Sequence, residues 1–139
     1  MDEATRTSAG ILVVDDDLVV RDALSKWLSR EGYRVQSAAG ASQALEALQR
    51  NQYGLALIDI QMPGMSGIEL QGLLRELCPH LAVIILTGYP SEPTAAQALS
   101  LGASAYLTKP VDLDELSSLV AEAIEHPPET KPERILSGA

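Results

Sequence analysis

Apolar residues fall into two patterns that alternate along this chain. Gly10-Ile-Leu-Val-Val14, Leu55-Ala-Leu-Ile58 and Ala82-Val-Ile-Ile-Leu86 are short continuous runs. Their length and β-branched content predict strands buried on both faces. Arg34–Ala38 and Ala103–Leu107 are weaker runs of the same kind. Between them the apolar positions recur at helical spacing. Val20, Ala23, Leu24, Trp27 and Leu28 form one such stripe, with Asp17 placed to cap it and Glu31-Gly32 to stop it. Ala44, Leu45 and Leu48 mark a helix over Ala41–Arg50. Ser66-x-x-Glu69 reads as a capping box ahead of Ile68, Leu70, Leu73, Leu74 and Leu77. A fourth helix has Pro93 in its first turn, a weak face of small residues, and Gly102 beyond its end near Leu101. Asp112-x-x-Glu115 reads as another capping box, at the start of a helix carrying Leu113, Leu116, Leu119, Val120, Ala123 and Ile124. Five strand–helix pairs of this length predict an α/β fold. Strands joined through helices lie parallel, and right-handed crossovers place helices on both faces of the sheet.

Polar residues then matter by where the strands end. Asp15 and Asp16 follow the first run, Asp59 follows the third strand, and Lys109 lies just past the fifth. In an open parallel sheet the ligand site lies outside the carboxyl ends of the strands. Three carboxylates gathered there would repel one another, and a hard cation relieves that. Mg²⁺ takes oxygen ligands and keeps several waters, so carboxylates suit it. Zn²⁺ would call for Cys or His, which this pocket lacks. A carboxylate such as Asp59 can act as a nucleophile and form an acyl phosphate. Lys109 is placed to pair with a phosphoryl oxygen, and the Thr87 hydroxyl to donate to another. Gly88, next to Thr87, brings no side chain to the pocket mouth.

Composition narrows the setting. A chain of 139 residues with 46% hydrophobic content fits one domain with a core of Leu, Val, Ile and Ala, since Phe is absent and Trp occurs once. Its net charge of −9, from 19 acids and 10 bases, argues against direct nucleic-acid binding, which needs a basic footprint. Cys78 is the single cysteine, which suits a reducing, cytoplasmic setting. The polar start Met1-Asp-Glu-Ala-Thr-Arg6 has no hydrophobic signal stretch, and no run approaches the roughly 20 apolar residues of a membrane helix. Residues 1–9 are expected to be a disordered lead-in, 10–126 the domain, and 127–139, with three prolines, a tail or linker. Neither a Gly-x-x-x-x-Gly-Lys-Ser/Thr nor a Gly-x-Gly-x-x-Gly nucleotide motif occurs. His80 and His126 read as solvated, Cys78 as a packing residue, and Gly64 and Gly67 as turn geometry.

Four segments together resemble the receiver domain of two-component response regulators. They are Ile-Leu-Val-Val-Asp15-Asp16-Asp17, Leu-Ile-Asp59-Ile-Gln-Met-Pro63-Gly-Met-Ser-Gly67, Ile-Leu-Thr87-Gly88 and Gly-Ala-Ser-Ala-Tyr106-Leu-Thr-Lys109-Pro110. The resemblance spans about residues 10–126 and implies a flavodoxin-like (CheY-like) fold. It implies that Asp59 is the phosphoacceptor. It further implies that Asp15, Asp16, Asp59 and the backbone carbonyl of Gln61 hold Mg²⁺. Thr87 and Tyr106 would be a switch pair, and Lys109 a partner of the phosphoryl group with a Lys109–Pro110 peptide commonly cis. The implied phosphoryl source is a sensor histidine kinase or phosphotransfer protein. The output surface would be the fourth helix, fifth strand and fifth helix, about residues 91–126. That surface would serve an output domain, an effector protein or a second copy of the chain, with no membrane contact.

Some positions depart from the commonest pattern. Leu18 stands where many members have proline. Gln61 and Tyr89 occupy positions that vary and bear on loss of the phosphoryl group; a bulky Tyr89 beside the pocket is expected to restrict water. Two other classes share parts of this chemistry. A phosphatase working through an aspartyl-phosphate would want a second acid two residues after the nucleophile, and Gln61 is not one. A pseudo-receiver acting only by binding would lack a working pocket, whereas here the set is complete. The chain is therefore read as a signalling switch that acts only on itself, not as an enzyme with an external substrate.

Overall fold

The computed structural model of the protein describes residues 10–128. The expected lead-in 1–9 and the tail from 129 onward lie outside the described residues. Five strands alternate with five helices. They are β1 (Ile11–Val14), α1 (Leu18–Arg30), β2 (Val35–Ala38), α2 (Ala41–Arg50), β3 (Leu55–Asp59), α3 (Gly67–Leu77), β4 (Ala82–Thr87), α4 (Glu92–Ser100), β5 (Ala105–Thr108) and α5 (Leu113–Glu125). All pairings are parallel, in the order β2-β1-β3-β4-β5. The expected five-stranded α/β sheet is borne out. No described helix is long and apolar enough to cross a membrane.

The unbroken apolar runs have a direct cause. Successive strand residues point to opposite faces, and both faces of β1, β3 and β4 are covered. Leu12, Val14, Ala56, Ile58, Val83 and Ile85 pack on one face against Ala44 of α2, Ile68, Leu70 and Leu74 of α3, and Ala98 of α4. Their neighbours Ile11, Val13, Leu55, Leu57, Ile84 and Leu86 pack on the other against Leu24 and Leu28 of α1 and Leu116, Val120 and Ala123 of α5. Each fully buried Leu or Ile contributes about 1.5–3 kcal/mol relative to exposure. The edge strands β2 and β5 are only partly covered, which explains their weaker sequence signal.

Helix ends follow the expected chemistry. Asp17 accepts from the Val19 and Val20 amides at 2.9 and 3.4 Å, a cap worth about 1 kcal/mol. Gly32 takes φ +99° just past α1, in the left-handed region that glycine enters freely. The Ser66–Glu69 capping box is complete, and the Asp112 side chain accepts from the Glu115 amide at 3.0 Å. His80 and His126 are exposed, and Cys78 is half-buried against the core.

Three expectations need correction. Ala23 is exposed; it lies about 100° around the helix from Leu24, outside the stripe that meets the sheet. Leu77 is 60% exposed because it comes after Leu74, the last buried position of α3. A buried Gln71 takes an inward place instead, its Nε2 donating to the Ala98 carbonyl at 2.8 Å. β5 begins at Ala105 rather than Ala103, because the Ala103 amide closes the end of α4 on the Ala98 carbonyl.

The strand order positions the site. The chain leaves β1 toward β2 on one side and leaves β3 toward β4 on the other. The loops after β1 and β3 therefore diverge, and a crevice opens between them at the carboxyl ends of the strands.

Candidate phosphoacceptor site

Four strands deliver the candidate residues to this crevice. β1 ends at Val14, so Asp15 and Asp16 emerge at its rim; β3 ends on Asp59 itself; β4 ends on Thr87; and β5 leads into Lys109. Register aligns them, with Val14 beside Ile58, Asp59 beside Leu86 and Thr87 beside Thr108. The Lys109 amide donates to the Thr87 carbonyl at 2.8 Å, extending the ladder by one bond. The Lys109–Pro110 peptide is cis.

Asp15 and Asp59 are buried, at 1% and 3% exposure, while Asp16 is open to solvent. One carboxylate oxygen from each of the three lies within 4.8 Å of the others. Lys109 Nζ donates to Asp15 Oδ2 at 2.7 Å and pairs at 3.4 Å with Asp59 Oδ1. The second contact is an ion pair rather than a hydrogen bond, and Asp59 Oδ1 is a buried oxygen with no hydrogen-bond partner. Asp15 is anchored further. Its Oδ1 accepts from the Asp17 amide at 2.9 Å, and its carbonyl accepts from Arg21 Nη1 at 2.8 Å.

Charge follows from this geometry. Burial raises the Asp59 carboxyl above its ordinary value, and the Asp15 carboxylate adds to the rise. Lys109 and the Gln61 amide oppose it without cancelling it. Burial alone would lower Lys109, but Asp15 and Asp59 outweigh that and hold its ammonium form above the ordinary range.

A divalent cation fits these residues. The donors are hard carboxylate oxygens, and buried Asp59 also has an oxygen without a hydrogen bond. All three oxygens lie within 4.8 Å of one another, close enough for one ion to bind them together.

The β3–α3 loop is held against the site by a close approach. A Cβ at Gly67 would collide with the Asp59 carbonyl, and the Gly67 amide donates to the Ile60 carbonyl at 3.0 Å. Glycine at this position is required by packing; Gly64, at φ +77°, is required by its turn. Gly88 differs, since nothing lies within 4 Å of where its Cβ would be.

The Thr87–Tyr106 flank is arranged differently. Thr87 is fully buried, and its hydroxyl donates to Gln61 Oε1 at 2.9 Å while accepting from the Tyr89 amide at 3.0 Å. The half-buried Tyr106 turns its phenol toward the start of α4. There it shares a 2.7 Å hydrogen bond with Thr94 Oγ1 and accepts from the Ser91 amide at 3.3 Å. Tyr89 is 77% exposed, so its ring does not shield the pocket as expected.

Asp15, Asp16, Asp59 and Lys109 thus meet as the sequence suggested, with Thr87 at the same strand ends. Arg21, the Gln61 carboxamide, Ser91 and Thr94 escaped the sequence reading. Each acts across a turn or a loop, and no run or spacing in the chain signals such a partnership.

An open parallel sheet with an acidic crevice at its switch point and a lysine at the rim is the architecture of a flavodoxin-like, CheY-like receiver module. The chain belongs to the response regulator receiver domain family, whose model matches residues 11–121. It is 40% identical over 114 residues to the response regulator protein FleR of Pseudomonas aeruginosa, covering 82% of this chain and 24% of that protein. The chain thus spans about a quarter of the length of that relative. Among solved structures it resembles a CheY-like receiver domain protein from Methanospirillum hungatei, with TM-score 0.82, 36% identity, and coverage of 86% and 95% of the two chains. It also resembles the response regulator TrrA of Thermotoga maritima, solved in complex with Mg²⁺-BeF, with TM-score 0.74, 33% identity, and coverage of 82% and 97%.

Proposed function

We propose that residues 10–126 form a phosphorylation-controlled switch in which Asp59 accepts a phosphoryl group from a sensor histidine kinase or a phosphotransfer protein. One observation carries the reading: a buried Asp59 carboxylate whose Oδ1 makes no hydrogen bond faces Lys109 and lies beside Asp15 and Asp16. An oxygen with no hydrogen bond to surrender is well suited to attack phosphorus. In that step an Asp59 oxygen forms a bond to phosphorus as the donor's P–N bond breaks, and the donor imidazole keeps the electron pair and gains a proton.

Lys109 pairs with an oxygen of the arriving group, whose charge it is already positioned to meet. Asp15, Asp16, Asp59 and the Gln61 carbonyl would hold Mg²⁺. When bound, that ion supplies charge neutralisation for the phosphoryl oxygens. Thr87 donates its hydroxyl to the phosphorylated site, and Tyr106 relays the change to the surface formed by α4, β5 and α5. That surface serves an output domain, an effector or a second copy of the chain, in a cytoplasmic setting.

The test is incubation with Mg²⁺ and acetyl phosphate followed by intact mass. A gain of one phosphoryl group that is absent in Asp59→Asn and in metal-free buffer is expected. No gain with acetyl phosphate or with any phosphorylated kinase would overturn the reading.

A further inference from the structure

Thr87 has one hydroxyl proton, and in the resting protein that proton is already committed. The oxygen accepts from the Tyr89 amide at 3.0 Å, so its own proton points the other way, to Gln61 Oε1 at 2.9 Å. The same geometry fixes the Gln61 carboxamide. Were its nitrogen the group facing Thr87, both neighbours would donate to the hydroxyl oxygen and the hydroxyl proton would be left without an acceptor among the described residues. Thr87 is fully buried, so water does not offer the hydroxyl an alternative partner. Gln61 lies outside the strand, two residues after Asp59, and the rest of its surface is exposed.

We propose that the Gln61 side chain is a resting-state catch: it holds the Thr87 hydroxyl out of service until a phosphoryl group on Asp59 competes for the same proton. This makes Gln61 a positioning residue acting through Thr87, separate from the part given to its backbone carbonyl. It rests on Asp59 being the phosphoacceptor. Engagement of Thr87 by the phosphorylated site then requires the Thr87–Gln61 bond to break, and the resting state is favoured by the worth of that bond. A carboxylate at this position would hold the proton harder, and a thioether of similar length would release it.

The experiment is a titration with beryllofluoride and Mg²⁺, a phosphoryl mimic, on the full chain carrying Gln61→Met, with Gln61→Ala as a second variant. Each is expected to bind the mimic roughly three- to tenfold tighter than the unaltered chain, the range for losing one competing neutral hydrogen bond. The same substitutions made on a Thr87→Val background, where no hydroxyl exists to be held, are expected to change affinity by less than about 1.5-fold. A loop-packing role for Gln61 would give the same change on both backgrounds. A second readout needs no ligand: in Gln61→Met alone, the Thr87 methyl resonance is expected to shift as its side chain samples more than one rotamer.

Unchanged or weaker binding in both Gln61 variants would overturn the catch, as would an equal gain on the Thr87→Val background. Those results leave the phosphoacceptor reading standing, because the unaltered chain still binds the mimic. If the unaltered chain binds no beryllofluoride at all, the phosphoacceptor reading falls and the catch falls with it.

Discussion

The acidic corner and the Thr87–Tyr106 flank lie at the same end of one sheet and differ in how their polar groups are satisfied. In the corner, Asp15, Asp59 and Lys109 face one another, and one Asp59 oxygen has an ion pair but no hydrogen bond. In the flank, the Thr87 hydroxyl and the Tyr106 phenol are both hydrogen-bonded, to Gln61 and to the Thr94–Ser91 turn. On the function proposed above, the first region receives the charged group and the second holds its arrangement until the first is filled. A buried group without a partner is destabilising, whereas satisfied polar groups resist movement. Under that proposal the difference separates the place where a signal enters from the parts that respond.

Breaking the corner should have the largest effects. Asp59→Asn is expected to abolish phosphoryl uptake from acetyl phosphate while leaving the fold intact. It should also melt higher than the unaltered chain at neutral pH without Mg²⁺. The sign follows from the raised carboxyl: its folded-state value lies above the ordinary 3.8, so ionised Asp59 opposes folding. Its favourable contribution is complete below that ordinary value and is lost as pH rises through the raised one. The melting gap between the two proteins should therefore open with rising pH across that window. Thermal melts at matched ionic strength from acid to neutral pH check this, and a gap independent of pH would contradict it.

Lys109→Met leaves buried Asp15 without its cation. Loss of about 3 kcal/mol is expected in urea unfolding at neutral pH, the lower end for a broken buried pair because the lysine side chain keeps 19% exposure. Added Mg²⁺ should restore part of it. Asp15→Asn is expected to weaken Mg²⁺ binding by at least about tenfold, measurable by calorimetry, with a smaller loss of stability.

The flank should yield the smallest effect. Tyr106→Phe keeps the ring and removes the hydroxyl that joins Thr94 and the Ser91 amide. About 1 kcal/mol or less is expected, seen as faster hydrogen exchange confined to the first turn of α4. Equal acceleration across α5 would show that Tyr106 braces more than that turn.

The same contrast marks how far the sequence could be read. The central strands are legible because β1, β3 and β4 are covered on both faces, so their runs are unbroken. The corner is legible because Asp15, Asp16, Asp59 and Lys109 follow strands whose ends must meet. β5 was placed two residues early because the Ala103 amide answers to α4 rather than to the sheet. Ala23 and Leu77 were misplaced because spacing gives a stripe without its width or its end. The Gln61 carboxamide, Arg21, Ser91 and Thr94 were invisible, since loop conformation rather than periodicity brings each to its partner. Tyr89, expected to cover the pocket, is largely exposed instead.

The central assignment is the identity of the acceptor atom. After incubation with acetyl phosphate and Mg²⁺, reduction with tritiated borohydride converts an acyl phosphate to an alcohol at the modified residue alone. Peptide mapping is expected to find the label at position 59, as homoserine in place of aspartate, and none at Asp15 or Asp16. Label at either of those two residues, or phosphate recovered on a hydroxyl or imidazole with position 59 unlabelled, would contradict the account.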